Sequence, residues 1–282
     1  MRKVLVAIAG FAAVLSTQAI AAPPATAVAS WTGAYIGVDA GYGWNSDQLR
    51  FSPNDVAAAD LFGGLLPDGT PVITSLGLHR SAPVGGLAGG YNWQIQRDWV
   101  AGLEADFSFT GLSGRAAGSS VLTGPPFAPV GLQTISVQQA TNWYGTVRGR
   151  LGFLATPHFL FFGTGGLAYG QVFDSVSYST SGGTGGFAHF TLGHEFNCTN
   201  GSPCFFGSSS AVRIGWTAGG GAEWQFAPHV SLKAEYQLVD FGTRTITSIA
   251  TFTPFGNAPS SFSASPFRDQ FQIVRVGLNW HL

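Results

Sequence analysis

Residues 99–110, WVAGLEADFSFT, decide the fold. Their odd positions read Trp99, Ala101, Leu103, Ala105, Phe107 and Phe109, and their even positions from 102 read Gly102, Glu104, Asp106, Ser108 and Thr110. Successive side chains of a strand point to opposite faces. This segment therefore has one wholly apolar face with aromatics near both ends, and one face that carries two carboxylates. A soluble sandwich also alternates, but its strands average about 5 to 6 residues, whereas a tilted strand that crosses a bilayer needs roughly 9 to 11. Length and terminal aromatics both point to lipid outside and a polar interior.

The same two-faced pattern recurs along the chain. From residue 34, Ala34, Ile36, Val38, Ala40, Tyr42 and Trp44 oppose Gly37, Asp39, Gly41 and Gly43. Leu87, Tyr91, Trp93 and Ile95 then share a face, as do Trp143, Val147, Leu151 and Phe153 against Arg148 and Arg150. Residues 159–173 are apolar on both faces and leave their orientation open. Val212, Ile214, Trp216, Trp224 and Phe226 oppose Arg213 and Glu223; Leu232, Ala234 and Tyr236 oppose Lys233 and Glu235; Val274, Val276, Leu278 and Trp280 oppose Arg275. Together with 99–110 this makes eight strands, an even number as single-chain bacterial barrels require. The fold expected is all-β, an eight-stranded antiparallel up-and-down transmembrane barrel. Tyr42, Trp44, Trp93, Trp99, Phe107, Phe109, Trp143, Trp216, Trp224, Phe226, Tyr236 and Trp280 would form its aromatic girdles.

Connections alternate between short joins near 97–98, 156–158 and 228–229 and long Gly/Pro/Ser-rich segments at 45–82, 113–138, 175–210 and 245–268. Barrels of the outer membrane pair short periplasmic turns with long extracellular loops. The long segments are accordingly expected to be four extracellular loops, with both chain ends in the periplasm.

Composition fits this placement. Only 10% of the 282 residues are charged, whereas an average soluble domain has roughly 25%. A formal charge of -1 offers no basic stripe for nucleic acid. Arg2 and Lys3 precede an apolar run over 4–15 and small residues around Ala21, which reads as a secretory signal peptide over 1–21. A short periplasmic segment, 22–30, then leads into a barrel over 31–282.

Charge placement carries more than charge number. Asp39, Glu104, Asp106, Glu223 and Glu235, with Arg148, Arg150, Arg213, Lys233 and Arg275, all fall on the polar faces. A lysine or arginine facing lipid at mid-bilayer would cost about 2 to 4 kcal/mol. Strand direction pairs Glu104/Asp106 with Arg148/Arg150 as one cluster, and Glu223 with Lys233 and Glu235 with Arg275 and Asp39 as a second. An eight-stranded barrel is just wide enough for side chains to fill it, so a paired plug is expected. The alternative is a gated conduit, kept open by inner-face glycines such as Gly37, Gly41, Gly86, Gly90, Gly219 and Gly221.

Cys198 and Cys204 flank a turn-rich CTNGSPC string and are expected to pair in an oxidising compartment. No cofactor and no metal site is expected. His189 and His194, beside Glu195, are the candidates for a rival reading as a haem or metal receptor. An outer-membrane hydrolase is the other rival, but no His stands on a strand beside a Ser and a carboxylate.

Four strings resemble a known family: WTGAYIGVDAGYGW at 31–44, GTGGLAYG at 163–170, SLKAEY at 231–236 and VRVGLNW at 274–280. In this order they resemble the porin-family outer-membrane immunogenic proteins of alphaproteobacteria, small OmpA-like barrels. The resemblance implies an outer-membrane location, loops at the cell surface, and a structural or permeability role without a catalytic site. It also implies outer-membrane lipid and lipopolysaccharide as surroundings, the barrel-assembly machinery as a partner during insertion, and a monomer or weak oligomer. The family's last residue is usually aromatic; here it is Leu282, with Trp280 two positions earlier.

Overall fold

The computed structural model describes residues 30–55, 58–59, 73–124, 128–181, 187–189, 195–197, 203–251 and 260–282. The expected signal peptide and residues 22–29 lie outside these. The strands are β1 (Gly33–Pro53), β2 (Ser75–Gln94), β3 (Trp99–Gly124), β4 (Ala128–Thr156), β5 (Phe159–Ser181), β6 (Phe187–His189), β7 (Glu195–Asn197), β8 (Pro203–Ala227), β9 (Val230–Ala250) and β10 (Ser261–His281). Strands β1, β2, β3, β4, β5, β8, β9 and β10 form one closed antiparallel barrel, sealed where β1 pairs with β10. Strands β6 and β7 form a separate two-stranded ribbon.

Closure leaves no edge with unpaired backbone N–H and C=O groups, the condition for a sheet to sit in hydrocarbon. No described helix is long and apolar enough to cross a membrane, and the strands make the crossing instead. Ile36, Val38, Leu87, Leu103, Val147, Leu151, Leu167, Val212, Ile214, Val274, Val276 and Leu278 are exposed on the outer wall. Aromatic residues border this band. Trp93, Trp99, Trp224, Phe226 and Trp280 lie at the end with the short turns; Tyr42, Trp44, Phe107, Phe109, Trp216 and Tyr236 lie at the other. Trp143 stacks on Phe107 in the second belt, with ring centroids 5.5 Å apart. Strand β5, apolar on both faces, turns its even positions inward, with Leu160, Phe162, Ala168 and Val172 buried and Phe161 and Leu167 exposed.

The long segments read from sequence as four loops are, in large part, strand. The barrel wall continues well past the upper belt, and β4 is 29 residues long. At a rise of about 3.3 Å per residue and a tilt near 40°, the part of β4 above Trp143 climbs about 38 Å. In this crown the polarity of the wall reverses. Leu49, Phe51, Leu78, Ile135, Val137, Val176, Tyr178, Phe205, Ile246, Phe262 and Phe267 point inward and form an apolar core. Their outward neighbours on the same strands are mainly Ser, Thr and Gln, as in Ser175, Ser177 and Ser179 of β5. The reason is the change of solvent: with lipid outside, the apolar face turns out, and with water outside it turns in.

Three of the described strands change parity at or above the level where the environments meet; in β10 the switch falls between Ala264 and Phe267, both of which point inward. Inward positions of β9 are odd up to Phe241 and even from Ile246, and the switch occurs at Gly242. Gly242 has φ +87°, in the left-handed region that favours glycine, and its N–H donates to Asp240 Oδ1 at 2.7 Å. Strand β4 shifts register between Thr141 and Tyr144, at the height of the Trp143 ring.

Candidate functional site

The lumen within the membrane band holds one connected charge network. Arg148, fully buried on β4, is its hub. It pairs with Glu104 and Glu235, reaches Asp106 at 2.9 Å and donates to the Thr164 hydroxyl at 3.2 Å. Lys233 Nζ lies 3.0 Å from both oxygens of Glu104 and 3.7 Å from Glu235. Arg275 reaches Glu235 at 2.8 Å, Asp106 at 3.4 Å and Asp39 at 3.5 Å. The Tyr35 hydroxyl closes the network below by donating to Glu104 Oε2 at 2.6 Å.

Beside it Arg150 pairs with Glu223 and lies 4.0 Å above the centre of the Phe162 ring, a cation–π contact. Glu223 also accepts from the Ser231 hydroxyl and from Asn279 Nδ2, the latter at 2.7 Å, and lies 3.6 Å from His281 Nε2. Such multiple partnering is what keeps buried charges tolerable, because an unpaired one pays a desolvation penalty of several kcal/mol.

Four sequence-based expectations need correction. A His does stand on a strand beside a Ser and a carboxylate: His281, the last residue of β10, has its Nε2 3.0 Å from the Ser231 hydroxyl oxygen and 3.6 Å from Glu223, although the Ser231 hydroxyl donates to Glu223. Arg148 meets Glu104 and Asp106, and Arg275 meets Glu235 and Asp39, across neighbouring strands, but Arg150 meets Glu223 rather than Glu104 or Asp106, and Lys233 meets Glu104 rather than Glu223, so the two expected clusters are not separate. Register puts Glu104 opposite Arg148 and Glu223 opposite Lys233. Yet in so narrow a lumen the long side chains reach across to strands that are not neighbours. Arg213 does not join the network: it is half-buried higher on β8, where its charge acts on Asp269. The inner glycines leave no spare room, because a Cβ at Gly41 would fall 2.2 Å from the Val274 carbonyl and one at Gly221 2.0 Å from that of Ala234.

Above and below the network lie layers that the sequence reading did not find. Below it, buried Trp31 packs with Val100, Leu154 and Leu160, and its indole N–H donates to the Pro157 carbonyl at 3.0 Å. Above it, Val84, Leu112, Tyr144, Ala168, Val172, Val239, Phe271 and Ile273 form an apolar layer. Higher still a second charged tier contains Asp174 paired with Arg244, Arg244 3.4 Å from Asp269, and Gln139 Nε2 donating to Asp269 at 2.6 Å. Asp47 in this tier accepts the Arg268 backbone N–H at 3.1 Å. Burial pushes the carboxyls of Asp47 and Asp269 above their ordinary range, and nearby arginines offset this only in part. The apolar crown core follows. The lumen is thus stacked as apolar, charged, apolar, charged, apolar. The signal for the upper layers was present in the parity of the Ser-rich segments, where Ile135/Val137 and Val176/Tyr178 recur at every second position.

Cys204 is buried in the crown core and disulfide-bonded, while Cys198 lies outside the described residues. His189 is described only by its backbone in β6, paired with Glu195, and His194 lies outside the described residues. No group of three or more His, Cys, Asp or Glu able to hold a metal occurs among the described residues.

A family model for the outer membrane protein beta-barrel domain matches residues 9–281. The chain is 33% identical over 287 residues to the 31 kDa outer-membrane immunogenic protein of Brucella melitensis, covering 98% of each. It is 28% identical over 155 residues to the 22 kDa outer membrane protein of Rhizobium leguminosarum bv. viciae, covering 55% of this chain and 51% of that one. Among solved structures, the outer membrane protein OprG of Pseudomonas aeruginosa aligns with a TM-score of 0.40 at 12% identity, covering 89% of this chain and 97% of that one.

Proposed function

Because the chain belongs to the outer membrane β-barrel family, we propose that it serves the outer membrane as a sealed structural barrel, a non-enzymatic wall element that holds a rigid crown above the bilayer. In this reading residues 1–21 are the cleaved export leader, and the barrel-assembly machinery inserts the mature chain with its short turns in the periplasm.

The observation that carries the proposal is the stacking of the lumen. A porin conducts through a continuous wet channel lined by polar side chains. Here three apolar layers interrupt any such path, and Trp31 stands across the periplasmic mouth. The charged layer between them is held by Arg148, Lys233, Arg150 and Arg275, each bonded to carboxylates. Opening a conduit would require several of these contacts to break together. Small-solute permeation is the competing role for the same barrel, and conductance separates the two. Full-length protein refolded into a planar bilayer is expected to give no stable single-channel current at neutral pH. Large, long-lived currents in the unmodified protein would overturn the sealed reading in favour of a pore.

A further inference from the structure

We propose that one side of the crown binds the phosphorylated sugar headgroups of outer-leaflet glycolipid through Arg50, Arg115 and Arg268. The inference rests on the outer-membrane placement used above and adds a specific partner surface. All three arginines are exposed and face outward, Arg50 on β1, Arg115 on β3 and Arg268 on β10. These strands, with β2, are consecutive in the barrel wall. None of the three forms an ion pair among the described residues, in contrast to Arg148, Arg150, Arg244 and Arg275, which all do. On the opposite half of the wall, the outward crown positions described on β4, β5, β8 and β9 carry no arginine or lysine. Of the carboxylates around them, Asp47 faces inward, where the charge of Arg268 still acts on it, and the outward Asp240, midway along β9, accepts the Gly242 N–H.

Height selects the ligand. The polar edge of the aromatic belt is marked by Trp44 on β1, by Phe109 on β3 and by Gln272 on β10, which accepts from the Tyr236 hydroxyl at 2.8 Å. Arg50 and Arg115 stand six residues beyond that edge and Arg268 four. At about 3.3 Å per residue and a tilt near 40°, they sit roughly 10 to 15 Å above it. A phospholipid headgroup layer is only about 5 to 7 Å deep. The arginines therefore stand above phospholipid phosphates and level with a thicker anionic headgroup, one made of sugars that carry phosphate. Three strand spacings separate β10 from β3, about 14 Å, so the three guanidinium groups form a patch broad enough for several phosphates at once. Arginine suits the task because its fork bonds two phosphate oxygens together. A soluble polyanion would more readily meet groups at the crown tip; a patch low on one side of the crown wall faces the surrounding leaflet.

The test uses full-length refolded protein and a deep-rough, core-phosphorylated lipopolysaccharide in mixed micelles, with binding read by isothermal titration. The unmodified protein should bind it at least roughly tenfold more tightly than the enzymatically dephosphorylated form or phosphatidylglycerol. R50Q/R115Q/R268Q should lose about tenfold in affinity, while R97Q in a periplasmic turn should lose none. Heat-modifiable gel mobility checks that each variant is folded; if the triple variant does not fold, each single variant should lose about two- to threefold. Unchanged binding by a folded triple variant would overturn the proposal, as would equal binding to phosphatidylglycerol. Currents recorded from the same preparation bear on the sealed-barrel reading alone, so the two can fail separately.

Discussion

Removing Arg148 should unmake the lumen network, and double-mutant cycles can show which of its contacts hold it. In Arg148→Met, Glu104 keeps Lys233 at 3.0 Å and Tyr35 at 2.6 Å, and Glu235 keeps Arg275 at 2.8 Å. Asp106 is worse placed, with Arg275 at 3.4 Å and the Thr146 hydroxyl remaining. Breaking a buried pair from one side costs about 3 to 5 kcal/mol. Since two of the three carboxylates stay well partnered, the lower end, about 3 kcal/mol, is expected. Arg150→Met orphans Glu223 only of its cation, with Ser231 and Asn279 still donating, so about 2 kcal/mol is expected. The cycles then discriminate between partners. Arg148 with Glu104, and Arg150 with Glu223, should couple by more than about 1.5 kcal/mol, whereas Arg150 with Glu104 should couple by less than about 1 kcal/mol. Urea-titrated folding into short-chain lipid vesicles, followed by tryptophan fluorescence, gives the four free energies of each cycle. Equal or stronger coupling of Arg150 to Glu104 than to Glu223 would refute the cross-lumen geometry.

Three further outcomes follow from the same structure. Gly221→Ala, whose Cβ would meet the Ala234 carbonyl at 2.0 Å, should destabilise by about 1 to 3 kcal/mol, while lipid-facing Gly163→Ala, with nothing nearer than 3.9 Å, should stay within about 0.5 kcal/mol in the same assay. The reversal of wall polarity predicts that Val176→Asp, inside the crown, loses more than about 3 kcal/mol whereas its outward neighbour Ser177→Asp is close to neutral; below the belt the outward Val147→Asp should be the damaging one. For pH, the folded-state carboxyls of Asp47 and Asp269 are raised, so the stability they contribute is fully present below their ordinary value of 3.8 and is lost as pH rises through the higher folded value. Asp47→Asn and Asp269→Asn should each flatten that decline, read by hydrogen exchange of the crown strands between pH 4 and pH 7 on the order of the linkage scale; a decline of undiminished slope in both would place its origin elsewhere.

The membrane half of the barrel was legible because lipid enforces a strict rule. Every outward position between the belts must be apolar, so residues such as Leu103, Val147 and Val276 write a period of two that survives in a single sequence. The crown was harder to read. There the apolar residues face inward and alternate with Ser, Thr and Gly, a composition shared with loops, and bulges at Gly242 and near Trp143 break the period where it would be most informative. The ten lumen residues were chosen by parity; seven of them meet in the network and two, Arg150 and Glu223, pair beside it, whereas Arg213 has the right parity but the wrong height.

The sequence by itself determined the outward face of seven strands, the number of crossings and the inward set of charges, because each is a property of one strand and its solvent; β5, apolar on both faces, was oriented only by the closed barrel. Partner choice was settled only by closure of the barrel. Once eight strands curl into a ring this narrow, Arg148 on β4 lies as near to Glu235 on β9 as to Glu104 next door, and Arg150 reaches Glu223 on β8. No linear pattern encodes distances across a lumen. The same closure stacks Trp31, the charge network and the two upper cores on one axis, and so turns a list of inward residues into a sealed interior.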